Sequence, residues 1–90
     1  MLTLEVQPPQ GDPLEFTLES SPVVVGRSDT CELKLEDPFL SRRHARIFRQ
    51  GETWMIEDLG SRNGTFVNDR ELSQETEITD GDVIRISSSW

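Results

Sequence analysis

Ninety residues with seventeen acids against nine bases, a formal charge of -8, leave room for one small and strongly acidic domain. A chain this short buries only about 60–70% of the surface its unfolded form exposes, which excludes two cores or one core around a large cofactor cavity. No apolar run is long enough for a transmembrane helix, no basic-then-apolar leader opens the chain, and the single Cys31 can make neither an internal disulfide nor a cysteine-based zinc site, so a cytoplasmic (intracellular) protein without membrane partner, metal or cofactor is expected.

Hydrophobic alternation at period two runs along most of the chain. Leu2, Leu4 and Val6 alternate with polar residues and predict a half-buried strand, as do Leu14, Phe16 and Leu18. Val23-Val24-Val25, set between Pro22 and Gly26, is a β-branched run suited to a buried strand. Leu33 and Leu35 make a very short alternating piece. Farther on, Ala45, Ile47 and Arg49 point one way, and His44, Arg46 and Phe48 the other. Residues 53–59 read as a strand with Trp54, Ile56 and Asp58 on one face; Phe66-Val67 begins another, and Val83-Ile84-Arg85-Ile86 closes the set.

Turn signals separate these pieces at residues 8–13, 20–22, Asp37-Pro38, Gln50-Gly51, 60–64, Asn68-Asp69 and Asp80-Gly81-Asp82. Asn63-Gly64 and Asp80-Gly81-Asp82 both read as hairpin turns, and the latter lacks the ligand spacing of a calcium loop. No stretch of 12 or more residues carries a helical apolar stripe. Nine to eleven short strands at this spacing predict an all-β sandwich or barrel. The chain reads as one domain over 1–90, with 87–90 as a ragged end or the start of a linker.

The bases are unevenly spread. Residues 38–51 contain no acid and carry Arg42, Arg43, Arg46 and Arg49, with Arg27 and Arg62 flanking them. An acidic chain that gathers its arginines in this way predicts one local positive site for a small anionic target, while the overall charge speaks against nucleic acid and anionic membranes. Gly26 lets the chain turn sharply out of its strand and presents Arg27, whose planar fork suits phosphate or carboxylate; the bland alternative is an ion pair with Asp29 or Glu32. Ser41 offers a small hydroxyl beside Arg42 and Arg43. His44 opens a strand, where a structural hydrogen bond is the ordinary role. Asn63, at a turn, has the donors and acceptor needed to hold a peptide backbone.

Taken together, Gly26-Arg27, Ser41-x-x-His44, Gly60-Ser61-x-Asn63-Gly64-Thr65, Asn68 and Gly81-Asp82-x-Ile84 resemble the forkhead-associated (FHA) domain over nearly the whole chain. The resemblance implies a β-sandwich of about eleven short strands that reads phosphothreonine peptides through loops at one end. It implies that Arg27 binds the phosphate, that Ser41 donates its hydroxyl to it, and that Arg42 is a further contact. Asn63 would hold the peptide main chain, while His44, Gly26 and Gly64 support the loops. Arg62 departs from the family pattern, where a Thr or Ser is common; it either adds charge or faces the residues flanking the phosphothreonine.

The function expected is therefore a monomeric phosphopeptide-binding module for signalling or assembly, with a phosphothreonine-bearing protein, in trans or from the same chain, as its partner. A phosphorylation-independent structural or assembly module of the same fold is the alternative. A small hydrolase with Ser41, His44 and Asp58 as a triad is disfavoured, because nothing in the sequence marks an oxyanion hole.

Overall fold

The computed structural model describes residues 1–7, 12–36 and 40–86. The turn expected at 8–11, the Asp37-Pro38 turn with Phe39, and the end at 87–90 lie outside the described residues. Ten strands are present among the described residues: β1 (Leu2–Gln7), β2 (Leu14–Leu18), β3 (Val23–Gly26), β4 (Leu33–Lys34), β5 (Ala45–Gln50), β6 (Thr53–Asp58), β7 (Thr65–Val67), β8 (Arg70–Glu71), β9 (Thr76–Ile78) and β10 (Val83–Ile86). They form two five-stranded sheets, ordered β2-β1-β10-β7-β8 and β4-β3-β5-β6-β9. Each sheet is antiparallel apart from one parallel pair, β1 with β10 in the first and β3 with β4 in the second.

The period-two pattern explains the core. Leu2, Leu4, Val6, Leu18, Val67, Ile84 and Ile86 point inward from the first sheet; Val23, Val25, Ala45, Ile47, Trp54, Ile56 and Ile78 point inward from the second. These two layers face one another as a sandwich, each residue giving its side chain to the interior at every second position. Leu14 is the exception: it pairs with Val6 but begins the edge strand β2, and it remains 44% exposed. β8 and β9 lack an alternating pair that the sequence pattern could flag, since β8 is exposed at both residues and β9 buries Ile78 alone.

Two turns differ from expectation. Asn63-Gly64 leads from β6 in the second sheet to β7 in the first, so it crosses the sandwich and closes no hairpin. Asp80-Gly81-Asp82 likewise crosses from β9 to β10, held by Asp82 and Asp80 carboxylates that accept the Thr79 and Thr3 amides at 2.8 and 2.9 Å. Two-residue hairpins close instead at Gly51-Glu52 between β5 and β6 and at Asn68-Asp69 between β7 and β8, the latter with φ of 49° and 69°, the positive pair that a type I′ turn requires. No helix among the described residues is long and apolar enough to cross a membrane.

Candidate functional site

Strand register decides which loops meet. Val25 pairs with Ala45, and Ala45 pairs with Asp58. The end of β3, the start of β5 and the end of β6 therefore lie side by side at one edge of the second sheet. The segments that continue from them carry Arg27, residues 40–44 and residues 59–64 onto a single end of the sandwich.

Hydrogen bonds then stitch these segments together. The Arg27 amide donates to the Ser41 carbonyl at 3.1 Å and the Ser28 amide to the Arg42 carbonyl at 3.1 Å. The Cys31 thiol donates to the same Arg42 carbonyl. Gly26 has to be glycine because a Cβ there would stand 2.2 Å from that carbonyl oxygen. The absence of a side chain lets the two loops touch backbone to backbone. Arg27 is exposed, and its Nε donates to the Leu40 carbonyl at 3.1 Å. That bond anchors the guanidinium through one of its five donors, and the other four sit on the terminal amino groups of an exposed side chain. The acids considered as its partners are engaged elsewhere: Asp29 pairs with Lys34, and Glu32 accepts the Val24 amide at 2.8 Å.

His44 is fully buried and joins two loops. Its Nδ1 accepts the Ser41 amide at 3.2 Å, and its Nε2 donates to the Gly64 carbonyl at 2.7 Å. Burial pushes the ring below its ordinary pKa of 6.5, against the opposing pull of the Gly64 carbonyl and the Asp58 carboxylate. The ring is therefore neutral at pH 7 and holds its hydrogen on Nε2. Nδ1 takes the backbone N–H of Ser41, so His44 is no base for the hydroxyl. The Ser41 Oγ instead accepts the Arg62 amide at 3.0 Å. The hydroxyl keeps its own hydrogen as a donor.

The third loop is organised by Asp58, which sequence reasoning weighed only as part of a triad. Its carboxylate accepts the Ser61 amide at 2.9 Å, the Ser61 hydroxyl, and the buried Thr65 hydroxyl at 2.7 Å. Ser61 Oγ in turn accepts the Gly64 amide at 3.0 Å. Burial works to raise the Asp58 pKa, but the bonds from Ser61 and Thr65 outweigh it, and the net effect is a carboxyl below its ordinary 3.8. Gly64 adopts φ of +88°, which L side chains avoid, and so sends the chain across to β7. The sequence signal for this cage was Asp-x-x-Ser ending a strand, an aspartate positioned to accept an amide a few residues on. Ser41, His44 and Asp58 are thus neighbours in a scaffold, without the contacts of a triad.

The arginine run divides. Arg46 leaves the loops along β5, pairs with Glu57 at 2.8 Å and lies over the Phe48 ring at 4.2 Å from its centroid. Arg49 lies five residues beyond His44, roughly 17 Å along an extended strand, and faces Trp54. Strand geometry therefore spreads an acid-free segment over two surfaces. Arg43 is exposed and close enough to Glu32 to help lower that carboxyl, after the dominant effect of the Val24 amide. Arg27, Arg42 and Arg62 remain at the loop end, all exposed, with no carboxylate at ion-pair distance among the described residues. Asn63 is half-buried beside them. A groove of about 420 Å³ adjoins the 60–64 loop, but Glu57, Asp58 and Glu75 line it and would repel a phosphate.

The FHA domain family model matches residues 23–87. The chain is 38% identical over 74 residues to the FHA domain-containing protein FhaB of Mycobacterium tuberculosis, a match covering 82% of this chain and 48% of that protein. It thus spans about half the length of this curated relative. Among solved structures it is similar to the FhaA FHA domain complexed with the intracellular domain of Rv3910, with a TM-score of 0.73, 36% identity and coverage of 82% of this chain and 80% of the other. It is equally similar to a chain solved in work on phosphothreonine-dependent FHA domain interactions, with a TM-score of 0.73, 36% identity and coverage of 82% and 76%. The sandwich, the loop-end glycine, arginine, serine, histidine and asparagine, and these likenesses have one common reading: the chain belongs to the FHA domain family.

Proposed function

We propose that this domain binds phosphothreonine peptides through its loop end and acts as an interaction module without catalysis of its own. The observation that carries the reading is the pairing of an exposed Arg27 with the half-buried Ser41 at the loop end, the two joined by the Arg27 amide bond to the Ser41 carbonyl. A phosphothreonine brings about -1.5 to -2 charges and three strong acceptor oxygens. The fork of Arg27, the hydroxyl of Ser41 and the charge of Arg42 suit those oxygens; the carboxamide of Asn63 suits the adjoining peptide main chain. Gly26, His44 and Gly64 hold the loops and touch no ligand. The likeness to an FHA domain of phosphothreonine-dependent interactions supports the same reading. Kinases act inside cells, so an intracellular setting goes with it, and the free, buried Cys31 is compatible with that.

The test is titration of phosphothreonine peptides, and of their unphosphorylated forms, against the chain and Arg27→Ala. Charge-assisted hydrogen bonds contribute about 1.5–3 kcal/mol each, so losing the fork should weaken phosphopeptide binding by at least about tenfold. Equal binding by both proteins, or indifference to phosphorylation, refutes the proposal. Partners that survive phosphatase treatment in a pull-down would mark the phosphorylation-independent alternative.

A further inference from the structure

The charge at the loop end exceeds what one phosphate needs. Lys34 pairs with Asp29 and Glu36, Arg46 with Glu57, and Arg85 with Asp69, whereas Arg27, Arg42 and Arg62 have no carboxylate at ion-pair distance among the described residues. Three exposed arginines radiate from one residue, Ser41. The Arg27 amide is bonded to its carbonyl, the Arg62 amide to its hydroxyl, and Arg42 follows it in the chain. Arg27 and Arg42 match the charge of a phosphate dianion. Arg62 is a third unit of positive charge, and its position is fixed. Its amide is held on Ser41, while Ser61 and Gly64 on either side are tied to Asp58 and His44. Asp58 and Glu57, the carboxylates at the end of the adjoining strand, are committed to Ser61, Thr65 and Arg46.

We infer that Arg62 is a specificity-determining residue that selects phosphothreonine peptides carrying a second anionic group close to the phosphothreonine. This rests on the phosphopeptide reading above and deepens it. Arg62 directly precedes Asn63, the residue assigned to the peptide main chain, so its side chain starts where the flanking residues of the ligand pass. An arginine fork accepts a carboxylate or a phosphate in the same bidentate way. The second group is thus an aspartate, a glutamate or a second phosphorylated residue. The acidic remainder of the surface repels anions that this loop does not hold.

The experiment is a phosphothreonine peptide with neutral flanks, compared with versions in which glutamate, or a second phosphothreonine, is walked through the three positions on each side. Each is titrated against the chain, Arg62→Ala, Arg62→Thr and Arg27→Ala. One flanking position should raise affinity for the unaltered chain about fivefold with glutamate, the upper end for an exposed ion pair, and more with phosphate. That gain, taken in each protein as the ratio of flanked-peptide to neutral-flank-peptide affinity, should vanish in Arg62→Ala and Arg62→Thr. A flat scan, or a gain that persists in Arg62→Ala, overturns the inference. If the neutral-flank peptide still binds only when phosphorylated and only with Arg27 present, the phosphopeptide reading survives that result. Binding indifferent to phosphorylation removes both.

Discussion

His44 is the test of whether the loop end is held by a few identifiable bonds. His44→Phe keeps a ring of similar volume in a fully buried position, so the cavity term is small. It removes the acceptor for the Ser41 amide and the donor to the Gly64 carbonyl. A buried polar group left without a partner costs about 1–3 kcal/mol. Ser41 and Gly64 are half-buried, so water recovers part of this and the expected loss is about 2–3 kcal/mol in all. In a domain of this size each kcal/mol lowers Tm by about 4–8 °C, which gives a fall of roughly 10–20 °C in a thermal melt. Exchange of the Ser41 amide should accelerate more than the global loss of stability accounts for, because its bond partner is gone. A fall below about 4 °C, or an unchanged Ser41 amide, would show that the two loops are held by something other than this histidine.

Three further outcomes follow from the same contacts. Gly26→Ala drives a Cβ to within 2.2 Å of a backbone oxygen that also anchors Ser28 and Cys31; overpacking against backbone should cost about 3 kcal/mol or more in chemical denaturation, and a neutral result would mean the loops are free to part. Asp58→Asn puts an NH2 where Ser61 and Thr65 present donors, so denaturation should show a loss of about 2 kcal/mol, and Thr65→Val should cost much less in that background than alone. The His44 pKa is depressed on folding, so its contribution is complete above 6.5 and is lost as the pH falls below that value through the lower folded pKa. Melts without ligand should show this loss in the original chain and not in His44→Phe; ligand must be absent because a phosphate's second proton titrates near pH 6.

The sandwich was legible because burial obeys the period of two: Leu2, Leu4 and Val6, and likewise Trp54 and Ile56, announce their inner face residue by residue. β8 and β9 were not legible, because a two-residue exposed strand and a strand with one buried isoleucine leave no periodic trace. The loop residues Arg27, Ser41 and Asn63 stood out through a family pattern, and the register Val25–Ala45–Asp58 explains why they share one end. The turn at Asn63-Gly64 misled, since a dipeptide suited to positive φ does not say whether its flanking strands belong to one sheet or two. Asp58 was read for its acidity, whereas its work is to accept bonds; that depends on where Ser61 and Thr65 arrive, which is a property of the fold. The arginine run misled for a similar reason: composition treats Arg42 and Arg49 alike, while Arg42 stays in the loop and β5 carries Arg49 away along the sheet.

Stiffness and charge at this end depend on each other. A ligand that must order Arg27, Ser41 and Asn63 on binding loses part of its affinity to that ordering. Here the backbones of those loops are already tied, through Arg27 to Ser41, Ser41 to His44, His44 to Gly64 and Gly64 to Ser61. The scaffold carries no positive charge at its centre: His44 is held uncharged by burial, and the negative charge of Asp58 is solvated by hydroxyl and amide donors inside the loop. A charged histidine at this position would compete for the phosphate from beneath, and an unsolvated aspartate would repel it. The exposed charges nearest Ser41 are then those of Arg27, Arg42 and Arg62, whose field falls off over about 10 Å in ordinary salt. On the proposed reading a compact anion would be held where the arginines stand, whereas a long polyanion would have to extend over a surface whose acids outnumber its bases.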